Sequence, residues 1–528
     1  MKCAYCGKNN KPGALVCKRC GIALPLTPPS DQKSAAPAEK SESSSEQAQA
    51  VKVDKSGGVS SGKPKMNRKA AAIGIASVVG VIAVAVLVIV LLANSGSLIL
   101  HKNSGYFANG SALFYKGESV VPGIVGNAAA ATDLSGKRAA VLCEDGTLYA
   151  CEKGTNTLAA KNVEKFAFSV NGNYLAYTDS EGLLWRFDCK DLANAPVCIF
   201  NNAVKEGFAI SPDGNSVLFT RDSDSALCVY IKGKIKAYEG CEGHVPVSVS
   251  DGAKAVYSYS PDDNSLYYIN AKGKKTQVRS TLIGEIYLNS KHDEIVFAFN
   301  SGNLKLQTLI SCSGSEPVEL CNAADAVRPV LPVSGFAMKD SVPGFDVYTC
   351  PFKTFGDKVF YGSQLVRYSK KTGVTVILPD TVSSARASDN YSSVFCVTGS
   401  GLSKIDMKAA ESPVRVAESC AEFALSSNGK TIWYKDLGDT LHYVKKSKDT
   451  AIAGGVGDFA VTLSGKAAAF FVGGKLYVNK SGNPAKSAPV ENASPTSIAA
   501  DVSNLYYLDG ASIWKKIDKT GKAENLIK

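Results

Sequence analysis

Histidine is scarce in this sequence, and common signatures of catalysis are missing from it. The four histidines are His101, His244, His292 and His442. None has a second His or a Cys at metal-ligand spacing, so each is predicted to be a surface or loop residue. There is no H-E-x-x-H pair and no phosphate-cradling glycine loop. We therefore predict no catalytic residue, and a non-catalytic role is the leading interpretation.

Acidic residues do not form a recognisable calcium-binding motif. Asp222, Asp224, Asp262 and Asp263 lie in turn-like stretches, where Asp is common because its side chain bonds to the local backbone. No EF-type loop surrounds these residues, so the sequence predicts turns there and not an ion site.

Charge is absent from one long stretch, the apolar run from Ala70 to Ala93, whose only hydroxyl is Ser77. At about 1.5 Å of rise per residue, a helix of this length extends about 36 Å. That is enough to cross a hydrocarbon core of about 30 Å. The sequence predicts a transmembrane signal-anchor helix over residues 68–94.

Basic residues set the predicted orientation of this helix. Lys63, Lys65, Arg68 and Lys69 precede it, and the first charge after it is Lys102. By the positive-inside rule, the N-terminus is cytoplasmic and the large C-terminal part is extracytoplasmic, in a single-pass protein of the cell membrane. No Trp or Tyr marks either interface, which departs from the usual pattern.

The positive charge is concentrated near the N-terminus. Residues 1–96 contain 13 Lys or Arg and five Asp or Glu, whereas the rest of the chain contains 46 and 43. Most of the excess therefore lies beside the membrane, where it fixes topology and contacts anionic lipid. The large C-terminal part is nearly neutral and is not predicted to bind nucleic acid.

Two cysteine pairs open the chain, and they have the spacing of a zinc site. Cys3 and Cys6, then Cys17 and Cys20, form two C-x2-C knuckles whose four thiolates can complete a tetrahedron. Gly7 and Gly21 follow the pairs directly, where a knuckle needs a left-handed backbone. A segment this short cannot fold by hydrophobic burial alone, so bound metal would supply the folding energy. The sequence predicts a structural Zn²⁺ site within residues 1–24.

Residues 1–24 resemble the short zinc-ribbon modules at the N-termini of many bacterial membrane proteins. The resemblance implies a small docking or regulatory module without naming its partner. The basic residues of this segment leave nucleic-acid contact open, although membrane topology explains them equally well. Residues 25–67 are rich in Ser, Ala, Gln, Glu and Pro and are predicted to be a disordered linker.

The rest of the chain repeats a short pattern. Copies such as FAFSVNGNYLAYTD, FAISPDGNSVLFTRD, FALSSNGKTIWYKD and FAVTLSGKAAAFFVG begin at Phe166, Phe208, Phe423 and Phe459. Each has two apolar runs joined by a polar turn, followed by a third strand rich in Tyr and Leu. The predicted turns lie at Gly136, Gly172, Gly214, Gly252, near His292, at Gly356, near Asp389, and at Gly429, Gly465 and Asn504. The pattern predicts three to four antiparallel strands per repeat, as in propeller blades.

These repeats resemble those of TolB-like propellers, whose motif is matched best by Phe208, Ser211, Pro212, Asp213, Gly214 and Phe219. The last repeat is also similar to the Tyr-rich blades related to the low-density-lipoprotein receptor. The resemblance implies a mainly β fold, a β-propeller spanning residues 97–528, and is silent on activity. The interval between His292 and Gly356 is longer than the others, and Cys312–Thr354 fits the repeat poorly. One large ring and two tandem propellers, 97–311 and 355–528, therefore both remain open.

Eleven further cysteines occur in the repeat region. Cys189 with Cys198 and Cys312 with Cys321 are the best-placed pairs for disulfides, and the odd number leaves at least one thiol free.

The favoured function is that of a membrane-anchored scaffold whose extracytoplasmic propeller binds a protein or glycan ligand. A second hypothesis is a membrane-tethered regulator whose zinc ribbon binds nucleic acid or a cytoplasmic complex. Hydrolase or lyase activity in the propeller funnel is a third.

Overall fold

The computed structural model describes residues 98–101, 106–108, 112–115, 118–122, 129–302, 305–408, 412–490, 493, 495–509, 514–517 and 522–525. The chain from Asn94 to Lys528 forms one compact unit. The predicted zinc ribbon, linker and membrane helix lie outside the described residues. Within those residues, no helix is long and apolar enough to cross a membrane.

The unit is mainly β, and most of its strands form consecutive four-stranded antiparallel sheets. Sheets 1 to 3 contain β1 (Leu98–His101), β2 (Tyr106–Ala108), β3 (Ala112–Tyr115), β4 (Glu118–Pro122); β5 (Ala129–Thr132), β6 (Arg138–Leu142), β7 (Leu148–Glu152), β8 (Thr155–Ala160); β9 (Val163–Phe168), β10 (Tyr174–Asp179), β11 (Leu183–Asp188), β12 (Val197–Asn201). Sheets 4 and 5 contain β13 (Ala203–Ile210), β14 (Ser216–Arg221), β15 (Leu227–Ile231), β16 (Lys234–Ala237); β17 (Val245–Val249), β18 (Ala255–Ser260), β19 (Ser265–Asn270), β20 (Lys275–Ser280).

The second half of the chain continues the series. Sheet 6 contains β21 (Leu282–Leu288), β22 (Glu294–Gly302), β23 (Lys305–Cys312), β24 (Val318–Ala323), β26 (Met338–Val342) and β27 (Phe345–Thr349). Sheet 7 contains β25 (Arg328–Pro329), β28 (Lys358–Tyr361), β29 (Leu365–Ser369) and β30 (Gly373–Leu378). Sheets 8 and 9 contain β31 (Val382–Ala387), β32 (Ser393–Thr398), β33 (Gly401–Asp406), β34 (Val414–Ala417); β35 (Glu422–Leu425), β36 (Thr431–Lys435), β37 (Leu441–Lys445), β38 (Lys448–Ala453). Sheets 10 and 11 contain β39 (Val456–Val461), β40 (Ala467–Val472), β41 (Lys475–Lys480), β42 (Ala488–Pro489); β43 (Pro495–Ala500), β44 (Leu505–Asp509), β45 (Trp514–Ile517), β46 (Ala523–Asn525). Two single-turn 3-10 helices, Asp251–Ala253 and Pro484–Lys486, complete the described elements.

The core lies between neighbouring sheets. Each described sheet packs on the next through its own cluster of buried apolar side chains. Between sheets 3 and 4, for example, Ala176 and Leu184 meet Phe208 and Phe219. Stacking covers apolar faces that a lone four-stranded sheet would leave open to water. This arrangement bears out the prediction of repeated antiparallel sheets and gives a propeller-like fold.

The repeated sequence motif is explained by the turn between the first and second strands. In sheet 4, Gly214 N–H donates to the Ser211 carbonyl, and the Ser211 hydroxyl accepts from Ser216 N–H at 3.0 Å. Asp213 accepts from the Ser211 hydroxyl at 2.7 Å. Gly214 has φ +76°, and a Cβ there would come within 2.4 Å of the Tyr174 side chain. The motif residues from Ser211 to Gly214 therefore form the turn, as predicted, and Phe208 and Phe219 are buried on the strands that flank it.

The long interval between repeats contains an insertion. β25 begins sheet 7, but the chain then leaves it and forms the hairpin β26–β27 before returning to sheet 7 as β28. β27 pairs in parallel with β21, the first strand of sheet 6, with Ile286 opposite Val347. Sheet 6 consequently has six strands. This hairpin explains why Cys312–Thr354 fits the repeat poorly.

Candidate functional site

The loops that connect the strands lie at two ends of the sheets. At one end, the turn joining strands three and four lies beside the turn joining strands one and two, as shown by hydrogen bonds from Cys189 N–H to the Asn173 carbonyl and from Ser481 N–H to the Lys466 carbonyl. At the other end, the turn joining strands two and three lies beside the link to the next sheet, as Val163 N–H donates to the Gly146 carbonyl.

The two ends carry opposite charge, and we call them the basic end and the acidic end. In the described turns of the basic end, the lysines are Lys137, Lys153, Lys190, Lys232, Lys254, Lys272, Lys274, Lys291, Lys353, Lys370, Lys371, Lys408, Lys430, Lys446, Lys466, Lys486 and Lys522. The acidic residues in the same turns are Asp133, Asp191, Asp213, Asp251, Asp293, Glu316, Asp357, Asp389 and Asp501. Lysines therefore outnumber acids at this end.

The acidic end has the reverse composition. Its described turns between second and third strands contain Glu144, Asp145, Glu181, Asp222, Asp224, Asp262, Asp263, Asp436 and Asp439, and neither Lys nor Arg occurs in those turns. The described links between sheets at this end add Lys161, Glu239, Glu242, Asp325, Asp380 and Glu418. The near-neutral sequence thus folds into a unit with separated charge.

Turns at the basic end are joined from sheet to sheet by hydrogen bonds. Asn171 N–H donates to the carbonyl of Pro212 at 3.1 Å, and Asp213 N–H donates to the Asp251 carboxylate at 2.8 Å. In sheets 8 to 11, the N–H groups of Asp389, Ser427 and Leu463 donate to carbonyls of Ser427, Leu463 and Asp501, respectively. These bonds connect loops that would otherwise move independently, so they hold the basic end as a fixed surface.

A cavity of about 710 Å³ lies among the first strands of sheets 2 to 6 and is walled by the β26–β27 hairpin. Its lining is largely apolar and includes Phe166, Phe168, Ile210, Val247, Leu288, Phe336, Met338 and Val347. Both lysines on its wall are paired, since Lys165 Nζ lies 3.4 Å from Asp340 and Lys339 Nζ lies 2.8 Å from Asp346. The cavity thus offers mainly apolar contacts.

Two of the buried polar side chains that line this cavity, His292 and Thr132, differ in their hydrogen bonding. His292 is held by Val249 and Thr349: its Nδ1 lies 3.3 Å from the Val249 carbonyl and its Nε2 lies 3.0 Å from the Thr349 hydroxyl. Because a carbonyl only accepts, Nδ1 carries the proton and Nε2 accepts from Thr349. Burial lowers the pKa of His292 from 6.5 to about 4. Thr132 is only 1% exposed, and its hydroxyl has no hydrogen-bond partner among the described residues.

The other candidate residues are not brought together. His244 is buried on the link before sheet 5, and its Nδ1 lies 2.9 Å from the Ser258 hydroxyl. His442 lies on β37 between Asp449 and Asp436. No group of three metal-ligating side chains occurs within the described residues. The predicted zinc ligands Cys3, Cys6, Cys17 and Cys20, and the side chain of His101, lie outside that part.

The cysteines of the repeat region, from Cys143 to Cys420, are all free thiols. The candidate pairs Cys189–Cys198 and Cys312–Cys321 are therefore unbridged. Cys189 is buried in the apolar cluster between sheets 2 and 3, whereas Cys198 is exposed on β12.

Sequence reasoning missed the charged ends and the cavity. The charge of the two ends was missed because the summed charge of the region is nearly zero. Sorting charged residues by turn within the repeat would have found them, since Asp and Glu predominate after second strands and Lys predominates after third strands, whereas the turns after first strands contain both. The cavity depends on a hairpin whose partner strand is distant in sequence, and no local signal identifies it.

The fold therefore defines a mainly β protein with propeller-like, repeated four-stranded sheets. No protein-family model and no curated protein matches the sequence. Among solved structures, the chain is similar to the GH74 enzyme of Niastella koreensis, with 12% identity, coverage of 82% of this chain and 84% of that chain, and a TM-score of 0.31.

Two further solved structures are similar to the chain. TolB from Acinetobacter baumannii has 14% identity, with 41% of this chain and 60% of that chain covered and a TM-score of 0.29. The tricorn protease has 14% identity, with 81% and 58% covered and a TM-score of 0.28. Similarities at this level say nothing about the activity of this chain.

Proposed function

We propose that this chain is a non-catalytic membrane-anchored scaffold whose propeller-like region binds a protein or glycan ligand outside the membrane. In this proposal, residues 68–94 are the single membrane span. Cys3, Cys6, Cys17 and Cys20 hold a structural Zn²⁺ on the cytoplasmic side. The observation that carries the binding role is the set of hydrogen bonds joining successive turns at the basic end.

A surface fixed in this way suits recognition of a large ligand. Binding a protein or a polymer costs conformational entropy for every loop that must become ordered. The loops that contain Asp389, Ser427 and Leu463 are already connected to one another. Their conformational entropy is therefore lost on folding and is not lost again on binding. Exposed Asn, Ser and Lys side chains on the turns supply hydrogen-bond donors and acceptors for such a ligand.

Hydrolase or lyase chemistry has less support from the cavity. Both ring nitrogens of His292 are engaged by Val249 and Thr349. Lys165 and Asp340 face one another across the cavity wall. A general acid or base needs access to a substrate proton, and these groups instead hold the hairpin in place.

The hairpin also bears on the number of rings, and we propose two tandem propellers. Met338 packs in the cluster between sheets 2 and 3, whereas Phe345 and Val347 pack in the cluster between sheets 5 and 6. In this proposal, sheets 2 to 6 form one ring around the cavity and the hairpin. Sheets 7 to 11 would form the second ring.

Site-specific photo-crosslinking tests the binding role. A photoreactive residue replaces Lys466 at the basic end or Lys475 at the acidic end of the same sheet, both exposed. The detergent-solubilised full chain is then illuminated in envelope extract. We expect a discrete adduct from position 466 and none from position 475. No adduct from either position, or equal adducts from both, would contradict the proposal.

A further inference from the structure

We propose that the basic end binds an anionic glycan polymer, one that carries sulfate, phosphate or carboxylate groups along its length. This inference rests on the proposed binding function and specifies the chemistry of its ligand.

Several acidic residues of the basic end are engaged in holding the turns. Asp213 accepts from Ser211 and from Asn215 N–H. Asp501 accepts hydrogen bonds from Ser503 N–H, Asn504 N–H and the Tyr506 hydroxyl. Asp389 accepts from Ser334 N–H at 2.8 Å. These carboxylates are therefore tied by hydrogen bonds to the turns that they stabilise.

The lysines are directed differently. Lys137, Lys254, Lys430 and Lys466 are each the last residue of the turn between the first and second strands, in sheets 2, 5, 9 and 10, and all four are exposed. Because one lysine recurs at the same point of several sheets, positive charge is repeated along the basic end. A polymer with regularly spaced anionic groups can contact several of these lysines at once, and its affinity then grows with the number of contacts.

The surface chemistry favours a glycan over other polyanions. Single-stranded nucleic acids bind through aromatic stacking platforms, and interfacial membrane binding inserts apolar side chains in addition to its electrostatic attraction. In the described turns of the basic end, Val502 is the one large apolar side chain that is exposed. Exposed Asn171, Asn390 and Asn428 lie between the lysines and suit the hydroxyl groups of sugars.

The acidic end determines which end of the repeat region the polymer contacts. Polyanions are repelled by turns rich in Asp and Glu, such as Asp262–Asp263 and Asp436–Asp439. Separation of charge thus orients the polymer toward one end, although the net charge of the region is small. A uniformly mixed surface of equal net charge would not do this.

Matched charge reversals test the proposal in the detergent-solubilised full chain. Lys291→Glu with Lys466→Glu alters the basic end of sheets 6 and 10, and Lys305→Glu with Lys475→Glu alters the acidic end of the same sheets. All four lysines are exposed, so folding is expected to be retained. Binding of dextran sulfate and of neutral dextran of equal length is measured at 50 and 200 mM salt.

We expect dextran sulfate to bind and neutral dextran not to bind. The basic-end variant should lose about tenfold in affinity while the acidic-end control loses less than about twofold, and wild-type affinity should fall steeply with salt. Equal binding of the two dextrans, or equal loss in both variants, would overturn the proposal. So would preferential binding of duplex DNA or of anionic phosphatidylglycerol vesicles. A position-466 adduct in envelope extract without dextran sulfate binding would leave the binding function standing and reject only the polyanion.

Discussion

The imidazole Nε2 of His292 lies 3.0 Å from the hydroxyl of Thr349, which connects the first turn of sheet 6 to the inserted hairpin. The ring also contacts the carbonyl of Val249 in sheet 5. One neutral side chain therefore holds three segments that meet at the cavity, and its protonation state should control their stability.

Acid should destabilise the protein through this histidine. The folded-state pKa is about 4, below the ordinary value of 6.5, because the charged ring would be buried. The unfolded chain therefore binds the proton first, so stability is full above pH 6.5 and falls as the pH drops toward 4. The loss approaches about 3 kcal/mol. His292→Asn should flatten the profile of unfolding free energy over this window.

His244 should also contribute to the pH dependence of the unfolding free energy. Burial, assisted by the nearby Lys275 ammonium, lowers its pKa to about 4 as well. His244→Asn should remove a separate share of the acid sensitivity, and the double variant should show the flattest profile. An unchanged profile in both single variants would exclude these histidines as its source.

Removal of the Glu294 carboxylate should destabilise the junction of sheets 6 and 7. This nearly buried side chain accepts hydrogen bonds from Phe355 N–H and the Thr354 hydroxyl and pairs with Lys370. Glu294→Ala should cost about 2 to 4 kcal/mol in urea unfolding, because buried donors lose their acceptor. Lys370→Ala should cost less than about 1 kcal/mol, since its side chain is half exposed. Equal costs would show that Glu294 stabilises the protein mainly through its ion pair with Lys370 and not through its contact with the backbone.

Glycines at equivalent turns should differ in their tolerance of a side chain. Gly214→Ala should cost about 2 to 4 kcal/mol, because it adds a clash with Tyr174 to the strain of a positive φ. Gly252 also has positive φ, but an added Cβ meets nothing within 4 Å. Gly252→Ala should therefore cost only about 1 kcal/mol. Thermal unfolding of both variants checks the difference, which would vanish if sheets 3 and 4 did not pack as described.

Loss of the Thr132 hydroxyl should stabilise the protein. Thr132→Val keeps the shape of the side chain and removes a buried hydroxyl that has no partner in the described part of the chain, a gain of about 1 kcal/mol. The control Thr220→Val removes a buried hydroxyl that donates to the His244 carbonyl at 3.0 Å and should cost about 1 kcal/mol. Differential scanning calorimetry distinguishes the two signs. Destabilisation by Thr132→Val would show that its hydroxyl is satisfied in solution.

The repeated sheets could be predicted because their turns are local. The residues from Ser211 to Ser216 contain every side chain that forms their turn, so the pattern is readable without knowledge of the neighbours. The predicted turns from Gly136 to Asn504 all lie before the second strands of sheets 2 to 11. Sheet 1 lacks the motif and was not anticipated as a separate unit.

The cavity could not be predicted in the same way, and the charged ends can be found only after the charged residues are sorted by their turn within the repeat. The hairpin pairs Val347 with Ile286, and such long-range pairing leaves no periodic signal in the sequence. Charge separation arises only when turns that are far apart in the chain are gathered at one end. For the zinc ribbon and the membrane helix, the sequence patterns stay predictions.

Labelling of Cys198 tests most directly the central claim that the repeat region lies outside the cell membrane. Cys198 is exposed, whereas the other described cysteines are buried or half-buried. A membrane-impermeant maleimide applied to intact cells should label the wild-type chain, and Cys198→Ser should remove most of that label. Labelling of Cys198 only after the cells are broken open would contradict the account.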